Sequence, residues 1–487
     1  MTNMRYNYVS ADPGAGKTDW AINMAKRWNM AGQPVMLIVP TIKLCDEIQA
    51  RSGGLIEAIH SNKTGASVRE IEERMTEWAK TYTAGSIVIT DAAFIQMRYR
   101  TAAGNWIVIK DEPKEPLNIA ELRVPDSMPY IEDTFMTFEQ TIESRQLLNG
   151  TLLKPKYKYS DIDDDITGQL ARIKHFLTHP EHFEVLFEVD MEAKRMLRYS
   201  IFTKPELFEE FAEVYLMGAN FSDTFIYHMW EKQGVEWQNK TPKSLRRLPS
   251  DRMVIRYLWD YDNHGNMLRW SKAFRDRTDN GTKLSNLDSY LEWLRVELPD
   301  GDYVYVANND YDDDHLNLNG VRMPAEVHGL NKYRHYTKVA VAGSYLVNRH
   351  HEIFYHHYGM STTDVRGMRN TQYYVQQITR TDIRNYNGTA QIEVYVPTLT
   401  EALELLVYFR DATIVDAEAK RAGVLNQEWE SITYTETPAP NDNTIVFGLN
   451  TYQKHIDVVN LDEEEELDDR PKTSTERSRM RRSRVGK

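Results

Sequence analysis

The chain has 487 residues and a mass of 56.8 kDa, which at roughly 150 residues per domain allows about three domains and excludes a peptide, a small disulfide scaffold or a simple binding module. With 41% hydrophobic and 27% charged residues the composition is that of a soluble globular protein, not of a chain disordered over most of its length. The net charge of -13 lies wholly in the body, because the seven carboxylates of Asp462 to Asp469 are cancelled by Arg470 to Lys487, with eight Lys or Arg against one Glu; a nucleic-acid partner would have to use a local groove or the tail.

Residues 5–9 read as a short strand, Gly14 and Gly16 as a turn, and 17–28 as a helix. Apolar runs follow at 35–39, 87–89 and 106–109, with helical spacing between them, as over 67–80. Runs that are apolar throughout suit strands buried on both faces, hence a parallel sheet covered by helices. From about 115 to 205 the sequence turns charged and partly helical, with an acidic loop at Asp161, Asp163, Asp164 and Asp165, and reads as a helical insertion. Val214-Tyr-Leu-Met217 returns to the earlier style, and runs at 303–307, 338–342 and 391–396 imply a second sheet. The division expected is 1–240 with the insertion at about 115–205, 241–415, a C-terminal extension over 416–461, and an acidic then basic disordered tail over 462–487. The single cysteine, Cys45, excludes an internal disulfide and points to a reducing compartment, the cytoplasm. No apolar run nears the roughly 20 residues that cross a bilayer, and none forms a signal-peptide core, so no membrane or secretory segment is expected.

Ala11-Asp-Pro13-Gly14-Ala15-Gly16-Lys17-Thr18 is a Walker A arrangement with Ala for the first Gly, set between a predicted strand and a predicted helix. Glycines let backbone N–H groups curl around phosphates, Lys17 adds positive charge, and the Thr18 hydroxyl is placed to ligate magnesium. Residues 13–18 are therefore the expected nucleotide-binding set. Trp106-Ile-Val-Ile109 leads into Lys110-Asp111-Glu112-Pro113, a strand ending in adjacent carboxylates. Asp111 is assigned to the metal, with Thr18, and Glu112 to activating an attacking water.

In this combination the chain resembles the superfamily-two helicases and translocases, the DExx-box family, and in its compactness a phage-encoded member. Motif I corresponds to Ala11 to Thr18 and motif II to Asp111-Glu112-Pro113-Lys114. Motif Ia resembles Pro40-Thr41-Ile-Lys43-Leu, and Ile89-Thr90-Asp91 resembles the next strand end, both of which touch the nucleic-acid backbone in the family. Leu216-Met-Gly218-Ala219-Asn220 is similar to motif III, Tyr303 to Asn309 to motif IV, and His328-Gly329-Leu-Asn331 before Lys338 to motif V. Gln376-Gln-Ile-Thr379-Arg380-Thr-Asp-Ile-Arg384 resembles motif VI, with Thr379 for Gly and one extra residue before the last Arg. If that segment is helical, Gln376, Arg380 and Arg384 share one face and both guanidiniums reach across an interdomain cleft; the sequence leaves open which Arg acts as the finger. The resemblance implies an α/β fold of two RecA-like parallel-sheet domains in tandem, with ATP and Mg2+ held between them. It further implies nucleic acid, taken as DNA, across the tops of both, with replication or recombination proteins as candidate partners and the host cytoplasm as location.

Other constellations carry less. His350-His351-Glu352 with His356-His357 lacks zinc-protease spacing, since Tyr355 stands at the second His position, and reads as packed helix surface. Asp310, Asp312 and Asp314 resemble a calcium loop without its glycine and closing Glu and read as a solvated loop, a nuclease-type pair of magnesium ions being the alternative. Arg98-Tyr99-Arg100 has the form of a single-strand stacking site, and Arg477 to Lys487 of a phosphate-binding arm. The leading expectation is an ATP-dependent helicase or translocase. The rivals are a phage DNA-packaging terminase, which needs a nuclease in the acidic second half, and a nucleotide-binding regulatory module without turnover.

Overall fold

The apolar runs form strands of a parallel sheet. In the computed structural model these are β1 (Met4–Ser10), β2 (Val35–Val39), β3 (Ile56–Ala58), β4 (Ser86–Thr90) and β5 (Ile107–Asp111). The structure describes residues 4–417 except 64–67, 82–84, 98–101, 124–135, 138–151, 156–170, 191–195, 263–264, 266, 279–283, 309–310, 325–331, 346 and 348. Side chains alternate across the sheet as strand geometry requires. Val35, Leu37, Val39, Ile107 and Ile109 pack with Ala21, Ile22, Ala25 and Ile48 of the helices Lys17–Met30 and Ile42–Arg51. Met36, Ile38, Ile87, Ile89 and Val108 face the other way, against Ile71, Met75, Phe94 and Trp230. Burial on both faces explains why β2, buried along its whole length, is apolar throughout.

The chain then leaves the sheet for an excursion that corrects the expected helical insertion. Its described residues are mainly a five-stranded antiparallel sheet: β6 (Leu117–Arg123), β7 (Met136–Thr137), β8 (Leu152–Pro155), β9 (Phe183–Asp190) and β10 (Met196–Thr203), with one helix, Ala171–Thr178. Alternating patterns such as Phe183-Glu-Val-Leu-Phe-Glu-Val189 suit half-buried antiparallel strands, and charge density had masked that period of two. The chain returns as β11 (Glu213–Gly218) and β12 (Val235–Asn239), completing a seven-stranded parallel sheet of order β12-β1-β11-β5-β2-β4-β3.

A second, six-stranded parallel sheet has the order β15-β14-β16-β17-β13-β18, from β13 (Met253–Trp259), β14 (Val304–Val306), β15 (Val321–Arg322), β16 (Lys338–Val341), β17 (Ile392–Thr398) and β18 (Thr413–Asp416). The helix Asn286–Glu297, started by a Ser285–Asp288 capping box, packs Tyr290, Leu291, Trp293 and Leu294 on it together with Trp270. Two parallel-sheet α/β domains in tandem, RecA-like in arrangement, are thus the architecture. The second half of the chain also reaches back. Phe354, Tyr355, Tyr358, Met360 and Val365 belong to the core of the first half, with Phe202 and Phe225. No helix among the described residues is long and apolar enough to cross a membrane. The extension and tail, Asp161 to Asp165, Arg98 to Arg100, Asp310 and the motif V-like His328 to Asn331 lie outside the described residues, apart from 416–417 at the start of the extension.

Candidate functional site

The site is assembled at the carboxyl ends of three adjacent strands, β1, β11 and β5, where open parallel sheets place their ligand crevices. Gly14 and Gly16 have φ of +81° and +99°, which only glycine adopts without strain, and they turn the chain from β1 into the helix that starts at Lys17. Lys17 is buried, its Nζ donating to the carbonyls of Ala11 at 2.7 Å and Asp12 at 2.9 Å. Burial pulls its pKa down, against the opposing pull of Asp111 and Glu112. The Thr18 hydroxyl donates to Asp111 Oδ2 at 2.9 Å. The motif I and motif II residues, 93 positions apart, therefore meet.

Asp111 ends β5 and is buried, and burial together with the neighbouring Glu112 carboxylate pushes its pKa up to about 6, opposed by Lys17 and the Thr18 hydrogen bond. Thr18 and Asp111 are the hydroxyl and carboxylate oxygens that fit a hard divalent cation. Bound charge of that kind would reverse the upward shift. Glu112 follows in the left-handed region, φ +47°, uncommon for a side-chain-bearing residue, with its N–H donating to Met217 O at 2.9 Å. This turn sends adjacent acids in different directions. The end of β11 ties the two motifs together: Gly218 O accepts from Ala11 N at 3.2 Å, and Ser10 Oγ accepts from Phe221 N at 2.9 Å. The motif III-like segment sits physically between motifs I and II.

From the second domain come Arg380 and Arg384, but not along one helix face. The helix Gln372–Ile378 stops two residues before Arg380, its end closed by Thr379, whose hydroxyl donates to Gln376 O at 3.0 Å, and Arg384 closes the short 3-10 turn Asp382–Arg384. The expected i, i+4, i+8 face is thus replaced by a turn, and the Glu112 charge opposes the effect of burial on both guanidiniums. Gln376 stays half-buried on the helix, with no hydrogen bond to the phosphate loop among the described residues. The extra residue before Arg384 is accommodated because a 3-10 turn does not keep the 3.6-residue period. Arg384 lies directly on the phosphate loop: a Cβ on Gly14 would stand 3.2 Å from its Cδ. Burial, then Arg380, lower the Arg384 pKa to about 10, and burial lowers that of Arg380. Two like charges near one carboxylate, Arg380 buried and Arg384 half-buried, form a place suited to a further anion.

Sequence reasoning missed three contributors. Asp12, read only as a loop residue, accepts the Leu248 N–H at 2.7 Å on its Oδ2, and Arg246 N donates to Ala15 O at 3.4 Å, so the connection between the domains is fastened to the phosphate loop. Arg334 adds its charge to the arginine pair. No spacing pattern announces them, since their roles arise from chain crossings.

Of the secondary candidates, Asp91 is buried in an ion pair with Lys110, which removes it from a backbone-contacting strand end. Thr41 is exposed and caps its helix through Leu44 N. Phe354, Tyr355 and Tyr358 are core residues, as the packed-helix reading expected. Asp312 caps the turn Asp313–Leu316 and Asp313 pairs with Arg322, while no cluster of three or more metal-ligating side chains exists among the described residues.

Fold and site together define a tandem of two parallel-sheet α/β domains in which the glycine loop after β1, the carboxylate end of β5 and the arginine turn of the second domain come together. No protein-family model and no curated protein matches the sequence. Solved structures similar in fold include an XPD helicase, 11% identical, with 85% of this chain and 96% of that one covered at a TM-score of 0.46. A second XPD structure, an apo form, is 10% identical, with coverage of 84% and 97% and a TM-score of 0.44. S. cerevisiae Dbp5 bound to RNA and ADP BeF3 is 9% identical, with coverage of 86% and 87% and a TM-score of 0.35.

Proposed function

We propose that the chain is an ATP-dependent helicase or translocase of the superfamily-two kind that acts on DNA. The observation that carries the reading is the convergence of Lys17, Thr18, Asp111 and Glu112 from one domain with Arg380 and Arg384 from the other around the phosphate loop. Catalysis of phosphoryl transfer is mostly positioning and charge stabilisation, and these residue types supply both. In this reading Pro13 to Thr18 hold the phosphates, with Lys17 neutralising them. Thr18 and Asp111 hold magnesium, which when bound screens the phosphate charge. Glu112 orients and deprotonates the attacking water. Arg384, on the phosphate loop, is the finger that meets charge developing on the transferred group, and Arg380 adds a second positive charge nearby. Gly218 to Asn220 couple the nucleotide to movement, because their strand bonds both motifs.

Because the arginines come from the second domain, they complete the site only when the cleft closes, which is how turnover becomes linked to motion along a strand. The test is steady-state ATP hydrolysis with no polymer, single-stranded DNA, duplex DNA and RNA, run beside Glu112→Gln. Strong stimulation by DNA that Glu112→Gln abolishes is the expected result. Stimulation by RNA alone would move the track to RNA, and absence of turnover in every condition would reject the motor.

A further inference from the structure

One helix of the second half runs through both halves of the molecule. Thr362–Arg366 is α-helical, Gly367–Thr371 forms a π turn and Gln372–Ile378 is α-helical again, with right-handed backbone angles at both joints, so the element is continuous. Its first part belongs to the first half. Val365 is fully buried in that core, Met368 packs against the same core, and Arg369 Nη1 donates at 3.2 Å to Glu115 Oε2, on the segment after β5. From the next residue on, the bonds go to the second domain. Asn370 Oδ1 accepts from Tyr345 N at 2.9 Å, Thr371 Oγ1 donates to Glu404 Oε2 at 2.7 Å, and Tyr374 Oη donates to Gly343 O at 2.7 Å. Gly343 and Tyr345 follow β16, and Glu404 lies on the helix Leu399–Leu406, which packs on β13 and β17. The border between the halves therefore falls inside the π turn, between Arg369 and Asn370.

A π turn interrupts the regular helical hydrogen-bond ladder, and helices bend at such places. Gly367 opens this one. Its φ lies outside the left-handed region, and an added Cβ would meet nothing within 4 Å among the described residues, so neither backbone angle nor packing requires glycine there. What glycine supplies at such a position is backbone freedom, at a cost to the helix. We propose that the π turn Gly367–Thr371 is the hinge between the two sheets and positions the arginine turn, with Arg369 fixing it to the first half and Asn370 and Thr371 to the second. The helix reaches Arg380 and Arg384 directly after Ile378, so a bend at Gly367 moves them without an intervening loop. Arg384 lies against Gly14 in the structure, which is the closed arrangement; opening bends the turn. A hinge of this kind absorbs motion in a few residues while the packed cores on either side stay intact. Its effect on turnover rests on the reading of the site as an ATPase, whereas the motion itself does not.

The test reads distance and stability as well as turnover, on the full chain. The single cysteine, Cys45, is buried, so Met30→Cys and Val296→Cys, at exposed positions on the helices Lys17–Met30 and Asn286–Glu297, accept a donor and acceptor dye, one on each domain. Energy transfer is recorded with and without adenylyl imidodiphosphate and magnesium, in this chain and in the same chain carrying Gly367→Ala. Alanine favours the helix over glycine by about fivefold in population. The expected result is a nucleotide-dependent change in transfer that Gly367→Ala shrinks by moving the nucleotide-free value toward the nucleotide-bound one. The melting temperature stays level or rises, and polymer-stimulated kcat falls by up to about fivefold, because opening is disfavoured by that factor. If nucleotide leaves the transfer unchanged, or Gly367→Ala leaves its response unchanged, the hinge is rejected. A lower melting temperature together with lower turnover in Gly367→Ala makes Gly367 a structural residue and also overturns the proposal. The expected transfer changes in a chain that hydrolyses no ATP under any condition support the hinge and reject the motor reading.

Discussion

At the scale of single residues, two guanidiniums that are alike in sequence are unlike in place. Arg384 lies against the loop at Gly14, while Arg380, between the helix end and the turn, is buried and feels the Glu112 charge. Arg384→Ala is expected to lower ATP turnover by about a thousandfold or more, the effect of losing an arginine finger, with nucleotide affinity changed far less; single-turnover hydrolysis and a binding titration separate the two. Glu401 offers a prediction of another kind. Its Oε1 accepts from Trp270 N at 3.1 Å, its Oε2 contacts the Thr398 hydroxyl, and that hydroxyl also reaches Leu268 O at 3.0 Å. One hydroxyl proton cannot serve two acceptors, so a protonated Glu401 satisfies the group best. Burial, then the Glu404 carboxylate, accordingly push Glu401 from 4.5 up to about 7. Between those values the folded state holds a proton that the unfolded state has lost, so this group's contribution is full at low pH and falls as pH rises through the window. Glu401→Gln is expected to raise the melting temperature at pH 8 and to flatten its decline between pH 4.5 and 7.

Among elements, the most consequential is the helix Arg349–His357 with the turn after it, which belongs to the second half of the sequence but packs on the first. Tyr358 stacks on Phe202 of β10 with ring centroids 4.1 Å apart and donates to Glu184 Oε2 of β9 at 2.8 Å. Tyr358→Ala should destabilise the protein by about 3 kcal/mol, in the range for truncating a buried aromatic, and Tyr358→Phe by about 1 kcal/mol for the lost hydrogen bond. Denaturant titration of both variants checks the difference. The antiparallel sheet of the insertion is thus one side of a contact between halves, and its charged sequence reflects strands with one polar face.

For the whole molecule, the same contact region holds an ion pair that links the segment after β5 to the element leading into the arginine turn. Glu115 lies four residues after Asp111 and accepts from Tyr355 Oη at 2.9 Å and from Arg369 Nη1 at 3.2 Å. Arg369 sits in a π-helical turn, Gly367–Thr371, that runs into the helix leading to Arg380. Such turns are often placed at functional positions. Glu115→Ala and Arg369→Ala should therefore be non-additive in stability by about 1 kcal/mol in a double-mutant cycle. If the pair also helps to hold the cleft closed, both should lower polymer-stimulated turnover more than basal turnover.

The parallel strands, the phosphate loop and the acidic pair were legible in the sequence because each is local. A fully apolar run of four or five residues, a glycine turn before a helix and two acids at a strand end each state their own requirement. The insertion was misread because its alternation is interrupted by charge, and a period of two over a few residues competes poorly with the helical spacing around it. Gln376, Arg380 and Arg384 were expected on one helix face and do not share one, since the sequence does not say that the helix ends at Ile378. Asp12, Arg246 and Arg334 carried no signal. Their positions depend on where the connection crosses the loop and where the second sheet docks, and such meetings between residues far apart in the sequence are decided by packing of the whole chain, which no local pattern encodes.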